Sequence, residues 1–242
     1  MCLFRLTKLV YENYNYNITN IIQKYNMKKN IFRDIFIVFL LTIIFSSCIN
    51  IKSELPKISL YRLKQESTQG TNAAAVIIDK SIFIENFASN MTLASEKIVV
   101  IENEVNLKKY DYHQWTIPLD EMMTDFTIDR INRYKSFKKG VVNSVSMLPD
   151  LILEARIVSC NINNSNNKKS PNTVELVISA NISSSQKTKP GFTPIFSEVY
   201  TKTIARPDNT LNSAVTALSK SLSDIVDNIL VDIDKKLKEN VK

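Results

Sequence analysis

Apolar and polar residues alternate with a period of two along three consecutive segments in the second half of the chain. The alternation is clear at 151–157 and 174–182, and the third segment, 195–204, is rich in β-branched and aromatic residues. Such patterns are typical of β-strands that bury one face. The polar connections 161–172 and 183–194 are short, which favours antiparallel neighbours over helical crossovers. The pattern therefore predicts a β-meander of three strands.

Three earlier segments also have strand character. Segment 57–63 begins the folded part, 73–87 is rich in β-branched residues, and 98–107 alternates again. In the last of these we expect four apolar residues to share one face of the pleat, namely Val99, Ile101, Val105 and Leu107.

The period changes to three and four residues in two places, which predicts two amphipathic helices. The first spans about 116–135. Thr116 can cap it, Pro118 suits its first turn, and Gly140 beyond it is a stop signal. The second spans about 209–238. Together the elements predict an α+β fold: a single domain with a mostly antiparallel, mixed β-sheet packed by two main helices.

The second helix carries one wide apolar stripe. Its members are Leu211, Ala214, Val215, Leu218, Leu222, Ile225, Val226, Ile229, Ile233 and Leu237. The opposite face holds Asn212, Ser213, Lys220, Ser223, Asp227 and Lys235. Two interpretations are open: the stripe covers the sheet, or it forms a coiled-coil seam with a partner. Its width exceeds strict a/d spacing, which favours packing on the sheet.

The N-terminal region predicts a bacterial secretory signal at 27–47, with a basic head and an eleven-residue apolar run at 35–45. A membrane-spanning helix needs about 20 apolar residues, so the run is too short for a permanent span. The alternative is an uncleaved anchor. Residues 1–26 are interpreted as a doubtful N-terminal extension from a misassigned start, or else as a long basic leader.

The end of this signal resembles the lipobox of bacterial lipoproteins. Two serines precede Cys48, which would become the acylated first residue after cleavage. Phe45 departs from the leucine that is usual at its position. Residues 48–56 would then form a polar tether, and 57–242 the folded domain.

The net charge and the numbers of His and Cys residues argue against several classes of function. The whole chain has a net charge of +7, but from Cys48 onward 25 basic residues face 22 acidic ones, and they are scattered. We therefore expect no nucleic-acid partner. His113 is the single histidine and no cysteine cluster stands near it, so we expect no metal site, no cofactor and no enzymatic activity. Cys160 is interpreted as a small buried hydrophobe in preference to a reactive thiol.

The segment YDYHQWTIPLD leads into the first helix. Its distinctive residues are Trp115, Pro118, Leu119 and Asp120. This motif resembles the ABC-type transport auxiliary lipoproteins, the PqiC-like family. The chain also has an early Tyr-x-Leu strand, a strand after the helix and a long closing helix, in the same order as that family. The chain differs from better-known members in its Asn- and Lys-rich connection after the first meander strand and in its extended last helix.

The resemblance implies a non-enzymatic accessory component of an MCE/ABC-type intermembrane phospholipid transport system. It implies attachment to the outer membrane through fatty chains such as palmitate on Cys48, on the side that faces the periplasm. Expected partners are an MCE-domain protein, a second copy of the chain and possible phospholipid. Ile49 is not the Asp that retains many lipoproteins in the inner membrane. The alternative is a lipoprotein cofactor of another envelope machine, in lipopolysaccharide export or peptidoglycan synthase activation.

The motif residues also have structural interpretations. Trp115 could be a docking side chain, but a lone Trp at a strand-to-helix junction is more often a core anchor. Asp120 suits the positive end of the helix dipole better than the role of a catalytic acid, because no second carboxylate or histidine is placed beside it. An envelope hydrolase would need a nucleophile paired with a base, and the sequence offers no such cluster.

Overall fold

The computed structural model describes residues 56–65, 76–90, 93–103, 105–165, 170–185 and 191–239, together with Phe36. Pro56–Lys242 is one compact unit. The predicted extension, Cys48 and the tether ahead of Pro56 lie outside the described residues, as does the signal apart from Phe36. None of the helices in the described ranges has both the length and the hydrophobicity that a bilayer span requires.

The described residues form eight strands and two α-helices. The strands are β1 (Ser59–Tyr61), β2 (Ile82–Ile84), β3 (Lys97–Glu102), β4 (Asn106–Trp115), β5 (Val141–Val142), β6 (Leu151–Asn164), β7 (Asn172–Ser185) and β8 (Phe192–Arg206). The helices are α1 (Leu119–Tyr134) and α2 (Leu211–Glu239). A short 3-10 helix spans Val145–Met147.

Strands β6, β7 and β8 form the predicted antiparallel meander. Leu151 at the start of β6 lies opposite Ser184 of β7, and Asn172 at the start of β7 lies opposite Arg206 of β8. These strands are longer than the alternating segments because their polar ends continue the pairing. The prediction of a meander is confirmed.

Short strands add parallel pairs along the other edge of β6. Strand β2 pairs with the beginning of β6 and with β5, and β3 pairs with the end of β6, all in parallel. Strand β1 pairs in parallel with β4, while β3 and β4 form an antiparallel hairpin. The sheet is therefore open and mixed but mostly antiparallel, which confirms the predicted α+β class.

The inward-facing side chains of the meander and the stripe of α2 form the core. The alternating residues of β7 that are fully buried are Val174, Leu176, Ile178, Ala180 and Ile182. Helix α2 packs across β7 and β8. Its buried apolar residues include Leu218, Leu222, Ile225, Val226, Ile229 and Ile233. Burial of each such Leu, Ile or Val contributes about 1.5–3 kcal/mol. This packing confirms that the stripe covers the sheet.

Two residues assigned to the polar face of α2 are wholly or mostly covered instead. Ser223 is buried, and the Asp227 side chain is only 14% exposed because it bonds Arg130 on α1. Helix α2 contacts α1 as well as the sheet, so more of its circumference is covered than a single stripe indicates.

The start of α1 differs from the prediction. Pro118 is the N-cap and its side chain makes no capping hydrogen bond, so the predicted cap by Thr116 is wrong. The Thr116 N–H donates instead to the Tyr61 carbonyl at 2.9 Å, which extends the pairing of β1 with β4. The helix ends at Tyr134, as predicted, and the residue that terminates it is Lys135 in a left-handed conformation at φ 53°, not Gly140.

The predicted face of segment 98–107 is also wrong. The chain leaves β3 after Glu102 and reverses through Asn103, whose φ is 52°. Ile98 and Val100 are the buried residues of β3, while Val105 and Leu107 are exposed. The alternation of apolar and polar residues continues through the turn, and the turn lacks the Asn-Gly or Asp-Gly signal of tight hairpins, so no pattern predicted the reversal.

Candidate functional site at the Trp115 motif

Trp115 is fixed in the core where β4 ends. It lies opposite Tyr61 in the parallel pair of β1 and β4, and its backbone N–H donates to the Glu96 carbonyl at 2.6 Å. The residue is only 3% exposed, and the neighbouring Leu119 is buried as well. An indole in this position packs the junction between strand and helix and offers little surface to a partner.

Asp120 attaches a loop to the first turn of α1. Its Oδ2 accepts a hydrogen bond from the Ser89 hydroxyl at 2.7 Å, and its Oδ1 accepts the Glu121 N–H at 3.0 Å. Nearby, the Thr124 hydroxyl accepts the Phe87 N–H at 2.9 Å. Both carboxylate oxygens of Asp120 therefore make structural hydrogen bonds, one to the loop and one to the backbone of α1. A negative charge in the first turn is also favourable at the positive end of the helix dipole.

A cavity of about 10 Å³ lies beside the motif, with Trp115, Leu119 and Cys160 among its lining residues. This is about the space of one water molecule. Burial raises the pKa of the Cys160 thiol to about 12. The thiol is therefore protonated at neutral pH and is a poor nucleophile. Its surface is partly exposed, so Cys160 packs at the edge of the core and is not fully buried.

His113 lies on β4 between two tyrosines. Its Nδ1 is 3.1 Å from the Tyr61 hydroxyl oxygen, and the Tyr110 ring meets the imidazole edge-on with ring centroids 5.4 Å apart. No serine or cysteine in the described ranges is hydrogen-bonded to this imidazole. The geometry is that of an aromatic cluster with one polar contact.

A buried ion pair that the sequence analysis missed joins the two helices. Arg130 of α1 donates through Nε and Nη2 to the two carboxylate oxygens of Asp227 on α2, each at 2.6 Å. The Arg130 side chain is 1% exposed. Its Nη1 donates to Gln65 Oε1 at 3.3 Å, and its Cζ lies 4.9 Å from the centre of the Tyr134 ring. This bidentate arrangement fixes α1, α2 and the segment after β1 to one another.

A sequence signal for this pair existed. Arg130 follows Phe126 by one helical turn and Met123 by two, so it falls on the apolar face of α1. A charge in such a position needs a buried partner, because an unpaired charge in the core is too costly. The partner itself could not be identified from sequence, since it lies on a helix far along the chain.

An open depression of about 490 Å³ lies along the outer side of α1. Its charged lining residues carry both signs and are Arg62, Lys64, Asp125, Asp129 and Arg133. In the described part of the chain no group of three His, Cys, Asp or Glu residues is arranged to hold a metal ion. The depression thus offers polar contacts at the surface.

Comparisons with known proteins find solved structures of similar fold but no match to a sequence family. No protein-family model matches the chain, and no curated protein matches it. The crystal structure of protein XCC0632 from Xanthomonas campestris, of the family DUF330, has a TM-score of 0.60 at 12% identity and covers 76% of this chain and 99% of that chain. The crystal structure of an uncharacterized protein has a TM-score of 0.52 at 12% identity and covers 73% of this chain and 99% of that one.

At such low identity these similarities show the fold alone. The domain has a fold like that of a DUF330 protein, which is consistent with the PqiC-like family that the sequence resembles. The solved neighbours are uncharacterised, so they contribute no activity of their own.

Proposed function

We propose that this chain is a lipid-anchored accessory protein of a bacterial MCE/ABC-type intermembrane phospholipid transport system. It would be acylated at Cys48 and held at the outer membrane, facing the periplasm. The observation that carries the proposal is the DUF330-like fold, which matches XCC0632 over 99% of that chain. The transport role itself rests on the resemblance of Trp115, Pro118, Leu119 and Asp120 to the auxiliary lipoprotein motif.

The arrangement of the motif supports a structural role rather than catalysis. Trp115 and Leu119 are buried, and the carboxylate of Asp120 accepts bonds from Ser89 and from the backbone of α1. These contacts hold the junction between sheet and helix in a fixed shape. A rigid body of this kind acts by presenting its surface to other proteins.

An acyl anchor at Cys48 suits that role. A single myristoyl chain gives only marginal membrane binding, but each further buried methylene adds about 0.8 kcal/mol, so several chains hold a protein to the bilayer almost permanently. The domain would then stay close to its partners without a membrane-spanning helix. Ile49 in place of Asp supports delivery to the outer membrane.

Labelling with a radioactive fatty acid tests the anchor. The wild-type chain and the Cys2→Ser variant should incorporate the label and fractionate with the outer membrane, because Cys2 lies ahead of the predicted cleavage position. The Cys48→Ser variant should lose both properties. An unlabelled wild-type chain, or a mature protein that begins at another residue, would contradict the proposal.

Crosslinking in cells followed by mass spectrometry tests the transport role. We expect an MCE-domain protein among the products for the wild-type chain and a reduced yield for Cys48→Ser. Recovery of a lipopolysaccharide-export component or a peptidoglycan synthase in its place would favour the alternative function as a cofactor of another envelope machine.

A further inference from the structure

Strand β8 forms a long, unpaired edge of the sheet. Among the described strands it pairs with β7 alone, and it runs for 15 residues, Phe192–Arg206. Strands in globular proteins usually have about five or six residues, and edge strands are usually kept short. Every second residue of β8 turns its backbone N–H and C=O away from β7. These groups form a row of donors and acceptors with which another strand can pair.

The core is incomplete at the same edge. Ile178 and Val174 of β7 are fully buried, at 0% exposure. Their partners across the ladder, Tyr200 and Ile204 of β8, pack against the same core but are only half-buried. Helix α2 therefore covers the inner face of β7 completely and that of β8 in part. A further strand beside β8 would remove more of this apolar surface from water.

The side chains of β8 are complementary to those of a second, antiparallel β8 strand. When Tyr200 is placed opposite Tyr200 of another copy, Glu198 falls opposite Lys202 and Lys202 falls opposite Glu198. In the same register Phe196 lies opposite Ile204. Opposite charges, and an aromatic with a β-branched side chain, are favourable cross-strand pairs. The two-fold symmetry of the arrangement creates each of these pairs twice.

Neighbouring registers lack this complementarity. A pair of strands centred on Glu198 or on Lys202 brings that residue opposite its own copy, so that like charges meet. A pair centred on Val199 or on Thr201 leaves both charged residues opposite uncharged ones. The charges of β8 therefore select the register that is centred on Tyr200.

Both charged side chains are accessible for such contacts. Glu198 is exposed and forms no ion pair within the described part of the chain. Lys202 lies 2.7 Å from Asp224 of α2, and its side chain is still 39% exposed. An ammonium group has three donors, so Lys202 can bind a second carboxylate. Charges on an edge strand commonly prevent pairing, but two opposite charges four residues apart attract each other in one antiparallel register.

We propose that β8 pairs with β8 of a second copy of this chain, antiparallel and centred on Tyr200. The two meanders then form one continuous sheet, with a copy of α2 packed on each half. An interface of this kind uses the same surface on both subunits, so it closes at a dimer. The pairing goes beyond the proposed transport role and does not depend on acylation of Cys48.

Exchange of the two charges tests the pairing and its register. Glu198→Lys puts lysine at both positions and Lys202→Glu puts glutamate at both, so each variant alone places like charges opposite one another. A mixture of the two variants restores the opposite charges. Light scattering after size-exclusion chromatography measures the mass of the full-length chain in detergent, with micelles in excess over protein. Glu154→Lys is the matched control, because Glu154 is exposed on β6 and changes the net charge equally.

Disulfide trapping tests the contact directly. Val199→Cys and Thr201→Cys, each combined with Cys2→Ser, are purified separately and then mixed. In the proposed register residue 199 of one copy lies opposite residue 201 of the other, and both positions are exposed. The mixture should form a disulfide-linked dimer several-fold faster than either variant alone. Val158→Cys mixed with Thr201→Cys is the control, because Val158 is 51% exposed but lies on β6.

We expect a dimer for the wild type and for Glu154→Lys, monomers for each charge variant, and a dimer again in their mixture. If Lys202→Glu fails to fold after losing Asp224, Glu198→Lys and the disulfide rates decide the question.

A monomeric wild type, or a dimer that persists in Glu198→Lys, would overturn the proposal. Disulfide formation no faster than in the Val158→Cys control would also overturn it. So would a wild type that stays monomeric while residue 199 is trapped by an added MCE-domain protein, because the edge would then bind a strand of that partner.

Discussion

Replacing Asp227 by Asn should strongly destabilise the domain. The substitution keeps the shape of the side chain but removes the charge that neutralises Arg130, whose side chain is 1% exposed. Arginine stays protonated in proteins, so the guanidinium would remain buried as an unpaired charge. Removal of one partner from a buried ion pair costs about 3–5 kcal/mol. The amide oxygen of Asn retains one hydrogen bond, so we expect a loss of about 3 kcal/mol.

Urea and thermal unfolding of the soluble chain from Ile49 onward measure this loss. The single tryptophan, Trp115, is buried and reports on the core by fluorescence, and circular dichroism follows the helices. For a domain of this size a change of 1 kcal/mol shifts the melting temperature by about 2–4 °C. The Asp227→Asn variant should therefore melt about 6–12 °C below the wild type.

Asp234→Asn on the same helix is the matched control. Asp234 pairs with Lys238 one turn away, and the Lys238 side chain is 73% exposed. Surface pairs of this kind contribute about 0.3–0.5 kcal/mol. If Asp227→Asn unfolds at the same urea concentration as Asp234→Asn, then Arg130 reaches solvent or another acceptor, and the reasoning from burial is refuted. The double variant Arg130→Met with Asp227→Leu should recover part of the stability, because an apolar pair leaves no unpaired charge.

Two further predictions concern the junction and the sheet. Trp115→Ala should lower the free energy of unfolding by about 3 kcal/mol through lost burial, and Trp115→Phe should lower it by less. If the melting temperature measured by circular dichroism is unchanged while crosslinking to the partner is lost, Trp115 is instead a contact residue. Burial alone would raise the pKa of Asp150, but hydrogen bonds from Ser81 and Lys139 hold that pKa below its ordinary value of 3.8. The ionised carboxylate therefore stabilises the fold when the pH is above 3.8. In urea unfolding, the wild type should be more stable than Asp150→Asn, and this difference should shrink as the pH falls below 3.8. A difference that stays constant with pH would exclude a contribution from the charge.

The sequence by itself determined the elements that depend on neighbouring residues. The alternation along β6 and β7, the composition of β8 and the helical period of α1 and α2 are local properties, because a side chain's face is set by its position within its own strand or helix. The short polar connections also settled the antiparallel order of the meander. The motif at Trp115 was predicted to lie at a strand-to-helix junction, and it does.

The tertiary structure decided everything that depends on distant parts of the chain. The parallel pairing of β1 with β4 joins residues more than fifty positions apart, and no local period specifies such a partner. The reversal at Asn103 moved Val105 and Leu107 from a predicted strand face to an exposed tip. The helical period placed Asp227 on the solvated face of α2, but in the structure its carboxylate pairs with the buried Arg130 of α1. Periodicity states which side of an element is apolar, but only the packing of elements decides which charges are buried and which apolar residues stay in solvent.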